Sequence, residues 1–231
     1  MNASEPHFAR RAVLIGAAAA LLAACGPAGK SEPVDAAAAP SPPVAPAAPV
    51  VTVLGDSITA GYGLAAADAL PAQLEAALAG EGVNVQVRGA GVSGDTTAGG
   101  LARVDFSVQD DSAVCVVALG GNDMLQGVAP SQVRANLDAI VGKLQARGVG
   151  VVLAGMRAPP QYGGYAADFD KVFVEVAKTR KIALYPFLLD GVALDHRFNQ
   201  DDGIHPNPQG VRLIAERLAP VVAEALRKAR P

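Results

Sequence analysis

The sequence predicts an α/β protein: a three-layer α/β/α sandwich built on a five-stranded parallel sheet. Three observations carry this. Five short apolar runs with strand character recur between residues 50 and 187, helical patterns lie between them, and Gly-, Ser- or Asn-bearing turns follow several of the runs. Strands alternating with helices imply βαβ units whose parallel strands are covered on both faces. Right-handed crossovers then leave few topologies.

The strand runs are "VVTVL" (50–54), "VNVQVRG" (83–89), "AVCVVAL" (113–119), "GVVLAG" (150–155) and "IALYPF" (182–187). Helix is expected from Ser131 to Ala146, where Val133, Leu137, Ile140, Val141 and Leu144 share one face, with Gly148 placed as a stop. A second helix is expected near Tyr165 to Arg180, with Phe169, Val172, Phe173 and Val176 on its stripe. The last starts at Asn207, a good N-cap, with Pro208 at its first helical position and Val211, Ile214, Leu218 and Val221 turned to a core.

Before residue 50 the chain has another character. "ARRAVLIGAAAALLAAC" joins a positive stretch at Arg10–Arg11 to a short Ala/Leu-rich run that ends in small residues and Cys25, so residues 1–25 read as an export signal. The "LAAC" ending resembles a bacterial lipobox, in which Cys25 would be lipidated; an ordinary secretory cleavage region is the alternative. Residues 26–49 are a tether: the stretch 27–49 holds seven Pro and eight Ala in twenty-three positions and cannot bury a core. The folded domain is expected over 50–231, and the whole chain is expected in the bacterial cell envelope, facing the periplasm and touching membrane only through the lipid anchor.

Composition narrows the function. With 51% hydrophobic residues there is material for one sizeable core, and a formal charge of -3 offers no basic field for nucleic acid. The second cysteine, Cys115, stands in an apolar run and reads as a small core residue rather than a nucleophile.

In doubly wound sheets, ligands sit at the carboxyl ends of the strands. The first strand ends in "GDSITAGYG", the second runs into "GAGVSGDTTAGG", the third ends in "LGGNDM", and "DDGIHPN" lies between the last strand and the last helix. These clusters supply the parts of a serine hydrolase. A Ser hydroxyl needs a base as it attacks, and the base needs a carboxylate to fix its tautomer. Ser57, His205 and Asp202 fill those places. The developing oxyanion needs preplaced donors, for which the N–H groups of Ser57 and Gly94 and the side-chain amide of Asn122 are available. Asp56 and Asp123 read as structural hydrogen-bonding residues and Asp201 as a solvent-facing neighbour. The stretch from Gly155 to Phe169 is expected at the rim of the acyl pocket, with Met156 and Tyr162 as its candidate side chains.

Taken in order, "GDSITAGYG", "GVSGDTT", "GGND" and "DGIHPN" resemble the four blocks of the SGNH/GDSL hydrolases, closest to the bacterial arylesterase or thioesterase-I/lysophospholipase-like branch. The resemblance covers nearly all of residues 50–225. It implies a flavodoxin-like sandwich, a Ser57–His205–Asp202 triad with Gly94 and Asn122 as oxyanion donors, ester or thioester substrates, and neither metal nor organic cofactor. Ile58 and Thr59 follow the nucleophile where the family name implies Leu. A sugar or peptidoglycan O-acetylesterase, a phosphate-holding binding module and a non-catalytic envelope lipoprotein remain the alternatives.

Overall fold

The structure is a computed structural model, and it describes residues 47–229. The export signal, Cys25 and most of the tether lie outside the described residues.

The five strands are β1 (Val50–Gly55), β2 (Gln86–Gly91), β3 (Ser112–Ala118), β4 (Gly150–Ala154) and β5 (Ala183–Tyr185). All pair in parallel, in the order β2-β1-β3-β4-β5. The chain leaves β1 toward one edge of the sheet and then crosses back to β3, so the order reverses beside β1. Right-handed crossovers at that reversal send the helices to opposite faces. On one face α2 (Leu70–Gly80) packs against α7 (Pro208–Ala229), while on the other α3 (Thr97–Ser107), α5 (Pro130–Ala146) and α6 (Gly164–Arg180) lie side by side.

Why the central strands are central is written in their burial. All six residues of β1 are buried, as are all but Ala113 in β3. Such unbroken burial belongs to strands covered on both faces. The edge strand β2, by contrast, has only exposed and half-buried positions. The expected apolar stripes all turn inward except that of Val221, which is only partly buried: Val133, Leu137, Ile140, Val141 and Leu144 on α5, and Phe169, Val172, Phe173 and Val176 on α6, are buried. Cys115 is fully buried in this core, and desolvation pushes its thiol up to about 12, so it has no thiolate to offer.

Two strands differ from expectation. β2 begins at Gln86 rather than at residue 83, because the Val83 N–H is taken by the Leu78 carbonyl at 2.9 Å, closing α2. β5 keeps only Ala183–Tyr185 of its six-residue run. There the Ile182 N–H closes α6 on the Ala177 carbonyl at 3.1 Å, and Pro186 has no N–H to give.

Candidate active site

β1 delivers the nucleophile candidate through a turn that tolerates no side chain at Gly55, where a Cβ would lie 2.9 Å from the Ala118 carbonyl oxygen. The next residue, Asp56, caps a one-turn helix, α1 (Ser57–Ala60), its Oδ1 accepting the Ile58 N–H at 3.0 Å. Ser57 is thereby the first residue of a helix at the carboxyl end of a central strand.

His205 arrives from a loop pinned at its base by a single antiparallel bridge between Asn199 and Pro206. Within it, Gly203 adopts φ 70°, a left-handed position that suits glycine, and the chain folds back on itself. That fold-back lets Asp202 Oδ1 accept the N–H groups of Ile204 and His205, both at 2.9 Å. The other oxygen, Oδ2, lies 2.6 Å from His205 Nδ1, and His205 Nε2 lies 2.9 Å from Ser57 Oγ across 148 positions of sequence. A carboxylate on Nδ1 makes that nitrogen the proton donor and leaves Nε2 to accept from the Ser57 hydroxyl. The backbone N–H of His205, then its imidazole, then the Ile204 N–H hold the Asp202 carboxyl down at about 2. Asp202 keeps its charge through these bonds while its side chain stays 37% exposed.

The other side of the site is built differently. Gly94 sits at φ 84° in a turn closed by the Asp95 N–H on the Val92 carbonyl, and it faces open space. Asn122 is the second residue of α4 (Gly121–Leu125), and its Nδ2 donates to the Asp95 carbonyl at 2.8 Å, tying the Gly94 loop to the end of β3. Beneath it, fully buried Asp123 accepts from the N–H of Thr97 at 2.8 Å and from its hydroxyl at 2.6 Å. Asn136 on α5 donates to the same hydroxyl at 3.0 Å, and Gln132 donates to Asn136 at 2.9 Å. Asp56 Oδ2 faces Asn122 Nδ2 at 3.5 Å, and burial pushes the Asp56 carboxyl up to about 6. Both aspartates thus serve as hydrogen-bonding structure, as expected, and Asp201 faces solvent.

The two rim candidates part company. Tyr162 is 46% exposed, on a short turn, with its ring edge-on to Tyr165. Met156 is buried, its Cε lying 3.0 Å from where a Cβ on Gly121 would stand, so it packs under the start of α4 rather than at an open rim. Sequence reasoning passed over two neighbours of the imidazole. Tyr62 lays its ring 4.6 Å from that of His205, centroid to centroid, and Gln200 donates to the carbonyls of Tyr62 and Pro206 at 2.8 and 3.0 Å. The only signal for Tyr62 was an aromatic between two glycines just past Ser57, and Gln200 left none.

Comparison with known proteins identifies the family and the fold. Residues 53–213 match the model of the GDSL-like Lipase/Acylhydrolase family. The chain is 44% identical over 162 residues to Esterase TesA of Pseudomonas aeruginosa, covering 69% of this chain and 81% of that protein. It is 36% identical over 177 residues to Thioesterase 1/protease 1/lysophospholipase L1 of Escherichia coli, covering 76% of this chain and 84% of that protein. The crystal structure of TesA superposes with a TM-score of 0.71 at 40% identity, over 76% of this chain and 99% of the other. On its motifs, its fold and these relatives, the chain belongs to the GDSL-like lipase/acylhydrolase family of ester hydrolases.

Proposed function

We propose that this enzyme cleaves carboxylic esters, and thioesters of similar shape, through an acyl-enzyme formed on Ser57, with His205 as general base and Asp202 as its orienting partner. The observation that carries the reading is the unbroken relay of 2.9 and 2.6 Å contacts from Ser57 Oγ through the imidazole to Asp202. The steps follow from that geometry. As Ser57 Oγ bonds to the acyl carbon, its proton passes to His205 Nε2. The carbonyl oxygen becomes an oxyanion, held by the N–H groups of Ser57 and Gly94 and by Asn122 Nδ2. The imidazolium then protonates the leaving oxygen or sulfur. Water, deprotonated by the same Nε2, attacks the acyl carbon; as the bond to Ser57 Oγ breaks, the imidazolium returns its proton to that oxygen and the acid is released. Electrostatic donors of this kind are each worth about 10²–10³ in rate.

In this scheme Asn122 Nδ2 keeps its 2.8 Å bond to the Asp95 carbonyl, which fixes the loop, and turns its other hydrogen from the long 3.5 Å contact with Asp56 Oδ2 to the substrate oxygen. Tyr162, exposed on the short Pro160–Tyr162 turn that follows β4, is the candidate contact for the acyl or leaving group.

The chain acts outside the cytoplasm in this reading, exported by residues 1–25 and tethered through lipidated Cys25 and the Pro/Ala-rich segment. A Cys25→Ala variant expressed with labelled palmitate should lose the label and leave the membrane fraction; retention of both would exclude the anchor.

The test of the reaction is Ser57→Ala assayed on p-nitrophenyl esters, acyl-CoA thioesters and acetylated sugars. Loss of turnover on the substrates that the parent enzyme cleaves, with an unchanged melting curve, is the expected result. Turnover close to that of the parent would overturn the assignment.

A further inference from the structure

Among the exposed aromatic side chains, Tyr62 is set apart by what its ring meets. It is 54% exposed, yet it lies over the imidazole of His205 with an angle of 34° between the rings. The position is not a loose one. Gly61, at φ 73°, turns the chain at the end of α1 so that the Tyr62 N–H returns to the Ser57 carbonyl at 3.0 Å. The Tyr62 carbonyl accepts from Gln200 Nε2, and the Gln200 N–H is bonded in turn to the His205 carbonyl at 2.8 Å. The main chain on both sides of the ring pair is therefore tied to the same two residues that exchange the proton. The charged and titratable groups facing His205 are Asp202 on its own loop, buried Asp56 at the end of β1 and Tyr62 after α1, while α7 contributes only Val211 to the cleft lined by Ser57, Tyr62 and His205.

We propose that Tyr62 is a positioning residue for proton transfer: its ring holds the imidazole plane toward Ser57, and its π face favours the imidazolium that forms when Nε2 takes the serine proton. The proposal rests on the Ser57–His205 reading above. It needs no contact between Tyr62 and substrate. An aromatic face beneath a cation at an exposed site is worth roughly two- to fivefold in an equilibrium. The same stabilisation acts on the transition state and on the resting imidazolium, so it raises the maximal rate and moves the acid limb of the rate profile upward in pH.

The experiment compares Tyr62→Leu and Tyr62→Phe with the parent enzyme, following kcat/KM for a p-nitrophenyl ester from acid to neutral pH, with melting curves alongside. Tyr62→Leu should lower kcat by about two- to fivefold while shifting the acid limb down by about 0.3 to 0.7 of a pH unit. Tyr62→Phe should restore most of both. Fluorinated phenylalanines at position 62 hold the shape and drain the face, and the limb should fall stepwise with each fluorine; these variants decide the matter if Tyr62→Leu misfolds. A loss confined to KM, or a limb that stays fixed across the series, overturns the proposal. Should Ser57→Ala and His205→Ala abolish turnover while the Tyr62 series stays flat, only this inference fails; should they keep turnover, the reading beneath it fails first.

Discussion

Two carboxylates belong to the site, Asp56 just before Ser57 in the chain and Asp202 on the far nitrogen of His205, and they keep their places by opposite means. Asp202 is well exposed, and backbone N–H groups from its own turn hold it ionised, with its carboxyl down at about 2. Asp56 is buried, accepts the Ile58 N–H at 3.0 Å and only a long 3.5 Å contact from Asn122, and burial drives its carboxyl up to about 6. The half of the site that would move protons is thus built from short hydrogen bonds on a solvent-facing loop. The half that would receive the oxyanion rests on buried acids, with Asp123 and the Thr97–Asn136–Gln132 chain beneath Asn122. Proton relay needs a charged acid that stays charged; a fixed donor set needs atoms that do not move. Exposure suits the first, burial the second.

That contrast can be broken at several points. The largest effect is expected at Asp202→Asn, where the amide oxygen can still accept the loop N–H groups but the imidazole loses its anionic partner. kcat should fall by roughly 10²–10⁴ with little change in Tm, and a loss under tenfold would show that the exposed carboxylate does not orient the base. Asn122→Ala removes the proposed oxyanion donor together with the tie to the Asp95 carbonyl, so kcat should drop about 10²–10³ while KM changes less. An effect on KM alone would make Asn122 a binding residue only.

The two acids should also give stability slopes of opposite sign. A raised carboxyl such as Asp56 stabilises the fold fully below its unfolded value, near pH 4, and that contribution is lost as pH rises through about 6. Its size is on the order of 3 kcal/mol. A depressed carboxyl such as Asp202 contributes above pH 4, and the contribution fades as pH falls toward 2. Urea unfolding of the parent and of Asp56→Asn between pH 4 and 7 measures the first slope. The Asn variant should flatten it, and an unaltered slope would place the titration elsewhere. The smallest effect is expected from Thr97→Val, which keeps the N–H on Asp123 but strips its hydroxyl partner. Stability should fall by about 1–3 kcal/mol with kcat within tenfold of the parent. A larger kinetic loss would show that the buried chain tunes Asn122 directly.

Much of this was legible beforehand because it depends on local pattern. The apolar stripes of α5 and α6 follow helical spacing and were turned to the core as expected. The four polar clusters lay next to strand ends, so Ser57, Asp202 and His205 could be named together before any distance was known. Strand limits were harder to read. Whether Val83 extends a strand or closes a helix depends on which carbonyl takes its N–H, and apolar content does not settle that. That Met156 is buried rather than at an open rim was hard to read for a related reason: sequence places it just after β4 but does not say which way its side chain runs.

The sequence by itself determined the order of strands and helices, the stripes that make a core, and the residue types gathered where strands end, since each of these is set within a few residues by periodicity and turn chemistry. Only the tertiary structure decided which of those groups touch. The 2.9 Å contact between Ser57 and His205, the Tyr62 ring over the imidazole and the burial that separates Asp56 from Asp202 all join residues far apart in the chain or depend on how much water surrounds them. Reach and desolvation are properties of three-dimensional packing, and no local pattern encodes them.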